Sequence, residues 1–234
     1  MLLVEFKNVT KTYKKEKVLD NISFSVEKGK ILGIIGPNGV GKSTTLALMT
    51  GLTKPSEGNI YYNDKKSFNK ILGFVPQDNA LYESLSGYDN LSFYFDMLGI
   101  KGNKKEKISE IGEYLNIEKD LSKKVSQYSG GMKRKLDIAA ALMNNPEILI
   151  MDEPTAGLDI LTRNSIINLL KKINREEKTI VFTSHYISEM EDICDKIIFL
   201  KDKKIAFSGR KEDLTNYYKD FDRLEDLYIY LYNE

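Results

Sequence analysis

Nine residues, 36-GPNGVGKST-44, hold three glycines, a lysine and two hydroxyls at the spacing G-x-x-x-x-G-K-[ST]. That composition suits one task, holding a chain of phosphates. Glycines leave the backbone free to curl around an anion with successive N–H groups pointing inward. A lysine at the end of the loop reaches the β- and γ-phosphates, and the hydroxyl after it is offered to Mg²⁺. Gly36, Pro37, Asn38, Gly39, Val40, Gly41, Lys42, Ser43 and Thr44 are therefore candidate nucleotide contacts, with Ser43 also a metal ligand. The competing reading is a glycine-rich turn that matches by accident.

Two further clusters fit the same chemistry. In 148-ILIMDEP-154 an apolar run ends in adjacent carboxylates. Side chains alternate along a strand, so Asp152 and Glu153 are expected to face different ways. Asp152 is assigned to the metal and Glu153 to a water. Without a ligand, the same run would be a strand ending in a solvated acidic turn. The chain's one histidine, His185, follows a second apolar run, 179-TIVFTS-184. An imidazole N–H at that strand end is placed to bind a phosphate oxygen.

A second anion-binding pattern stands at 126-SQYSGGMKRKLDIAAAL-142. Ser129, Gly130 and Gly131 open what reads as a helix, with free N–H groups and a favourable dipole. A helix cap with no ligand would use the same residues.

These residues need elements to carry them. The apolar runs 31–35, 147–151, 179–183 and 196–200 lack alternation, as strands buried on both faces do, and helical patterns separate them. A mainly parallel α/β sheet follows. The runs 2–9, 22–27, 58–62 and 72–76 read as an antiparallel β layer. Residues 86–145 show no convincing strand and read as a helical insertion, with Ser86 as a cap and a helix over 105–115. The expected organisation is one domain over 1–234. Its nucleotide-binding core and β layer take 1–85 and 146–209, its helical part about 86–145, and a C-terminal helical tail 210–234. In that tail Leu224, Leu227, Tyr228 and Leu231 recur at helical spacing, a stripe suited to packing on its own domain.

Composition narrows the function classes. Lys and Arg total 35 against 34 Asp and Glu, a net charge of +1, which argues against a strongly basic nucleic-acid binder. One cysteine, Cys194, excludes an internal disulfide and fits a reducing compartment. No run approaches the ~20 apolar residues of a membrane helix, and the first residues lack the apolar stretch of a signal peptide. A cytoplasmic protein is expected, with any membrane role supplied by a partner.

The motifs together resemble the ATP-binding subunit of ABC transporters. The resemblance runs from Met1 to about Gly209. YSGGM at 128–132 is similar to the family signature, usually LSGGQ, and 75-VPQD-78 to its glutamine loop. AGLD at 156–159 matches its D-loop, with Ile160 where proline is common. The family implies adenine stacking by Tyr13, metal ligation and γ-phosphate sensing by Gln77, and a nucleotide-facing role for Asp159. It implies Lys42, Gln77, Glu153 and His185 as the catalytic set, with ATP and Mg²⁺ as cofactors. Two cassettes, alike or different, would enclose two ATP molecules head to tail, so Ser129, Gly130 and Gly131 would serve the partner's nucleotide. The expected partners are a second cassette and a membrane permease docked on about 78–98, with Leu81, Tyr82, Tyr88 and Phe93 as candidate contacts. No nucleic acid is expected. The string YSGGMKRKL and the carboxyl-terminal tail are similar to the branch exporting drugs, antibiotics and lipids. The alternative is a non-transport ATPase of the same family acting on ribosomes or nucleic acid. Those usually carry two cassettes, coiled-coil arms or basic extensions, which this sequence lacks.

Overall fold

The computed structural model describes residues 1–63, 71–210, 213 and 223–232. Strands β1 (Leu2–Tyr13) and β2 (Glu16–Glu27) form an antiparallel hairpin, and β4 (Glu57–Tyr62) pairs with the other edge of β1. Phe6 and Phe24 lie opposite each other with ring centroids 4.4 Å apart, a cross-strand pair on the buried face.

The second sheet carries the chemistry. Its strand order is β5 (Leu72–Val75), β6 (Ile148–Met151), β7 (Thr179–Ser184), β3 (Ile31–Ile35), β8 (Lys196–Lys201), β9 (Lys204–Gly209). All neighbours are parallel except β8 and β9. Every residue of β3, β6 and β7 is buried, which is why these runs lack alternation.

Helix α1 (Lys42–Met49) follows the glycine loop. Between β5 and β6 come α2 (Gly87–Met97), α3 (Lys104–Tyr114) and α4 (Gly130–Leu142), with short 3₁₀ turns at Glu118–Asp120 and Val125–Gln127. Ser86 caps α2, accepting from the Asp89 N–H at 3.0 Å, and Ser129 caps α4 through Met132 N–H at 3.3 Å. Helices α5 (Ile160–Arg175) and α6 (Ile187–Ile193) flank β7, and α7 (Leu224–Tyr232) buries Leu224, Leu227 and Leu231. That stripe packs in the same core as β8, with Tyr228 partly buried beside it. Of the tail expected over 210–234, residues 211–212, 214–222 and 233–234 lie outside the described residues.

One expectation needs correction, and one strand is added. Leu72–Val75 does not join the antiparallel layer; it pairs parallel with β6 at the edge of the large sheet. A four-residue apolar run carries no mark of its sheet, and the alternation here comes from lying at an edge. Strand β9 went unread, since Lys204–Gly209 has only one fully buried residue, Phe207.

Candidate functional site

The glycine loop leaves β3 at the carboxyl edge of the sheet. A Cβ on Gly36 would lie 2.6 Å from the Leu200 carbonyl and 2.8 Å from Val40, so the loop is pressed against β8. Gly41 has φ +113, and a Cβ there would meet Leu19 at 2.5 Å. The C-terminal helix supports this corner. Tyr232 donates its hydroxyl to Leu200 O at 2.6 Å, within 3.3 Å of where a Gly36 Cβ would stand.

Lys42 turns back into the loop. Its Nζ donates to Gly36 O at 2.8 Å and Pro37 O at 3.2 Å, and stands 3.5 Å from Glu153 Oε1. Burial pulls the Lys42 ammonium below its ordinary value, while Glu153 and Asp152 pull it back. Ser43 is exposed at the helix start and Thr44 half-buried.

Asp152 and Glu153 lie just past β6, and both are buried. They diverge, but not through strand alternation. Glu153 takes a left-handed conformation, φ +46, uncommon for a residue with a Cβ. That turn sends its carboxylate towards Lys42 and His185, whose Nε2 is 2.5 Å from Glu153 Oε1. Asp152 accepts from Thr183 Oγ1 at 2.6 Å, and the same hydroxyl accepts from Glu153 N–H at 2.8 Å. Thr183 on β7 therefore fixes both acids. It was missed in the sequence, where its only signal is a polar residue inside the run TIVFTS.

The remaining expected residues divide. Gln77 follows β5 with its side chain exposed. Its carbonyl accepts from Arg134 Nη2 at 2.8 Å, while Nη1 donates to Pro76 O at 2.8 Å. One turn on, Asp137 accepts from Ala80 N–H at 3.2 Å. Helix α4 thus grips the glutamine loop through two buried side chains that no sequence pattern identifies. Tyr13 is 46 % exposed at the end of β1, with Lys11 Nζ 4.7 Å from its ring centroid. Asp159 is engaged in its own chain. It caps α5 through Thr162 N–H at 3.0 Å and Thr162 Oγ1 at 2.6 Å, bonds that hold its carboxyl below the usual range.

Ser129 and Gly130 are exposed, and Gly131 is buried where a Cβ would lie 2.3 Å from Thr162. Ser129 accepts from Met132 N–H through its hydroxyl and from Lys133 N–H through its carbonyl, and Leu158 and Thr162 lie nearest to where Cβ atoms on Gly130 and Gly131 would stand. Of the substituted signature residues, Tyr128 is buried and donates to Asp120 O at 2.7 Å, and Met132 packs partly buried against the core.

Among the described residues no cluster of three His, Cys, Asp or Glu exists to hold a metal alone. The donors near the loop are the Ser43 hydroxyl and the Asp152 carboxylate. That sparse set fits Mg²⁺, which keeps waters and binds through one or two side chains plus substrate phosphates. No described helix is long and apolar enough to cross a membrane.

Comparison with known proteins gives one consistent picture. Residues 19–156 match the family model described as ABC transporter. The linearmycin resistance ATP-binding protein LnrL of Bacillus subtilis is 40 % identical over 92 % of this chain and 71 % of its own length. The lantibiotic transport ATP-binding protein SrtF of Streptococcus pyogenes is 34 % identical over 97 % of this chain and 96 % of its own. A solved dimeric ATP-binding cassette, in a post-hydrolysis state with ADP and Pi, is 33 % identical and superposes with a TM-score of 0.78 over 89 % of this chain and 98 % of that one.

Proposed function

The chain belongs to the ABC transporter family, and from that membership we propose that its site works as an ATP-driven clamp powering a separate membrane permease, in the direction of export. It binds and hydrolyses ATP. The observation that carries the site assignment is the convergence on one carboxylate: Glu153 Oε1 faces Lys42 Nζ at 3.5 Å and His185 Nε2 at 2.5 Å. A phosphate-binding cation, an acid and an imidazole meet at the mouth of a glycine loop.

In this reading the loop amides, Lys42 and Thr44 hold the phosphates. Ser43, Asp152 and Gln77 would hold Mg²⁺, which supplies positive charge against the phosphates. Glu153 orients the attacking water and accepts its proton, an effect of roughly 10²–10⁴-fold. His185 leaves Glu153 to bind the γ-phosphate as charge shifts there. Tyr13 stacks on adenine. Ser129, Gly130 and Gly131 of a second cassette close on the same nucleotide, with Asp159 holding the adjoining loop. The glutamine loop reports phosphate occupancy to 78–98, where Tyr82 and Phe93 stand exposed for the permease and Leu81 and Tyr88 are partly buried. The names of the relatives, a resistance protein and a lantibiotic transporter, favour transport over work on ribosomes or nucleic acid. The protein then works on the cytoplasmic face of the membrane, held by its permease.

The test is Glu153→Gln. Glutamine keeps the shape and removes a negative charge beside the γ-phosphate, so ATP binding holds or tightens. Turnover falls at least ~10²-fold, about 2.7 kcal/mol in barrier, as the water loses its acceptor. Phosphate release and the dimer fraction with Mg·ATP are measured together. Near wild-type hydrolysis rejects the catalytic assignment, and an inactive monomer rejects the clamp.

A further inference from the structure

Glu189 is a buried acid with no part in the mechanism above. It is 4 % exposed on α6, and burial pushes its carboxyl up against the pull of its hydroxyl partners. Burying a carboxylate is costly unless its oxygens are partnered, so the choice of partners is informative. Oε2 accepts from Ser184 Oγ at 2.5 Å and Thr155 Oγ1 at 3.0 Å. Oε1 makes no hydrogen bond and lies 3.7 Å from Arg163 Nε.

Each partner borders the site. Ser184 immediately precedes His185, and its Oγ also accepts from Tyr186 N–H at 3.0 Å, so the backbone is pinned on both sides of the imidazole. Thr155 stands two residues after Glu153, at the exit of the left-handed turn. Arg163 stacks on Tyr186 at 3.5 Å and reaches Leu158 O at 3.4 Å, in the loop that precedes Asp159. One carboxylate therefore ties together the segment carrying His185, the segment carrying Glu153 and the loop leading to α5.

We propose that Glu189 is a positioning residue for ATP hydrolysis: through Ser184 it sets His185 against Glu153. The proposal rests on the functional reading of His185 given above. A group that fixes geometry acts on the chemical step and little on nucleotide affinity, because Lys42 and the loop amides lie outside its contacts. Misplacement of reacting groups by about an ångström can cost ~10²-fold.

The experiment is a double-mutant cycle in the full chain. Glu189→Ala, Glu189→Gln, Ser184→Ala and His185→Ala are made singly, and each of the first three is combined with His185→Ala. Steady-state kcat and KM for ATP are measured with thermal midpoints. Glu189→Ala is expected to lower kcat ~10–100-fold with KM changed less than ~3-fold. Glu189→Gln, which retains an acceptor for the two hydroxyls, recovers part of that loss, and Ser184→Ala reproduces part of it. In the His185→Ala background the Glu189 substitutions add little, because the group they position is gone. Losses that multiply in that background overturn the proposal, as does a rise in KM matching the fall in kcat. If Glu189→Ala fails to fold, Glu189→Gln and Ser184→Ala decide by the same criteria. Wild-type turnover in His185→Ala alone is a different result: it rejects the role of His185 itself, and Glu189 with it.

Discussion

A Cβ placed on Gly87 would stand 2.2 Å from the hydroxyl of Tyr128. The two residues face each other where α2 begins beside the signature loop. Tyr128 occupies the position that is usually leucine in the family signature, and its hydroxyl donates to Asp120 O at 2.7 Å, in the turn before that loop. The larger side chain is accommodated by the missing one. Burial and Asp120 push the phenol up to about 12, so it remains a neutral donor at ordinary pH.

Gly87→Ala should therefore destabilise the protein by ~1–3 kcal/mol through overpacking. Tyr128→Leu removes the obstructing hydroxyl, and in that background Gly87→Ala should cost much less. Denaturant titrations of the four proteins give the coupling. Strict additivity would show that the two positions do not constrain each other.

Asp137 makes stability depend on pH. Burial pushes its carboxyl from 3.8 up to about 7, against the attraction of Arg134 and the hydrogen bond from Ala80. Between those values the folded chain holds a proton that the unfolded chain has released. Its contribution to stability thus falls as pH rises from about 4 to about 7 and is level above. Asp137→Asn removes the titration and keeps an acceptor for Ala80. Relative to wild type the variant should gain thermal stability between pH 5 and pH 8, by an amount on the order of a few kcal/mol at most. A difference between the two melting curves that is flat with pH would place Asp137 in the ordinary carboxylate range.

Under the proposed clamp, Ser129→Arg should separate the signature helix from the glycine loop as nucleotide contacts. The serine caps α4 and is exposed, so its loss should cost about 1 kcal/mol of helix stability, while an arginine should block the approach of the second cassette proposed above. ATP-dependent dimerisation should disappear in sizing experiments, with ATP binding to the single subunit retained. Loss of that binding as large as that of a Lys42→Ala control measured alongside would mean that both sites serve one nucleotide within one chain.

Tyr13 should act through its ring. Tyr13→Phe should leave ATP affinity nearly unchanged and Tyr13→Ala should weaken it by ~0.5–1.5 kcal/mol, the value of an aromatic contact. Lys11 Nζ is held by Thr53 Oγ1 and Lys54 O, both at 2.7 Å, and keeps its place beneath either ring. Nucleotide titrations in which Phe is as poor as Ala would point to the hydroxyl.

What the sequence determined was local. A glycine loop between an apolar strand and a helix, two acids at a strand end and Ser-Gly-Gly opening a helix are specified by a few adjacent residues, because backbone freedom, dipole direction and burial on both faces are properties of short segments. The buried runs at β3, β6 and β7 were legible for the same reason. What tertiary structure decided is which side chains meet. Strand order places β7 between β6 and β3, so His185, Glu153 and the glycine loop share one edge although chain order separates them. Thr183 fixing two acids, Arg134 holding Gln77 and Glu189 binding Thr155 all join distant segments. A buried polar group must find partners, but nothing in its neighbourhood along the chain states which ones; only the packing of the sheet against its helices brings them within hydrogen-bonding distance.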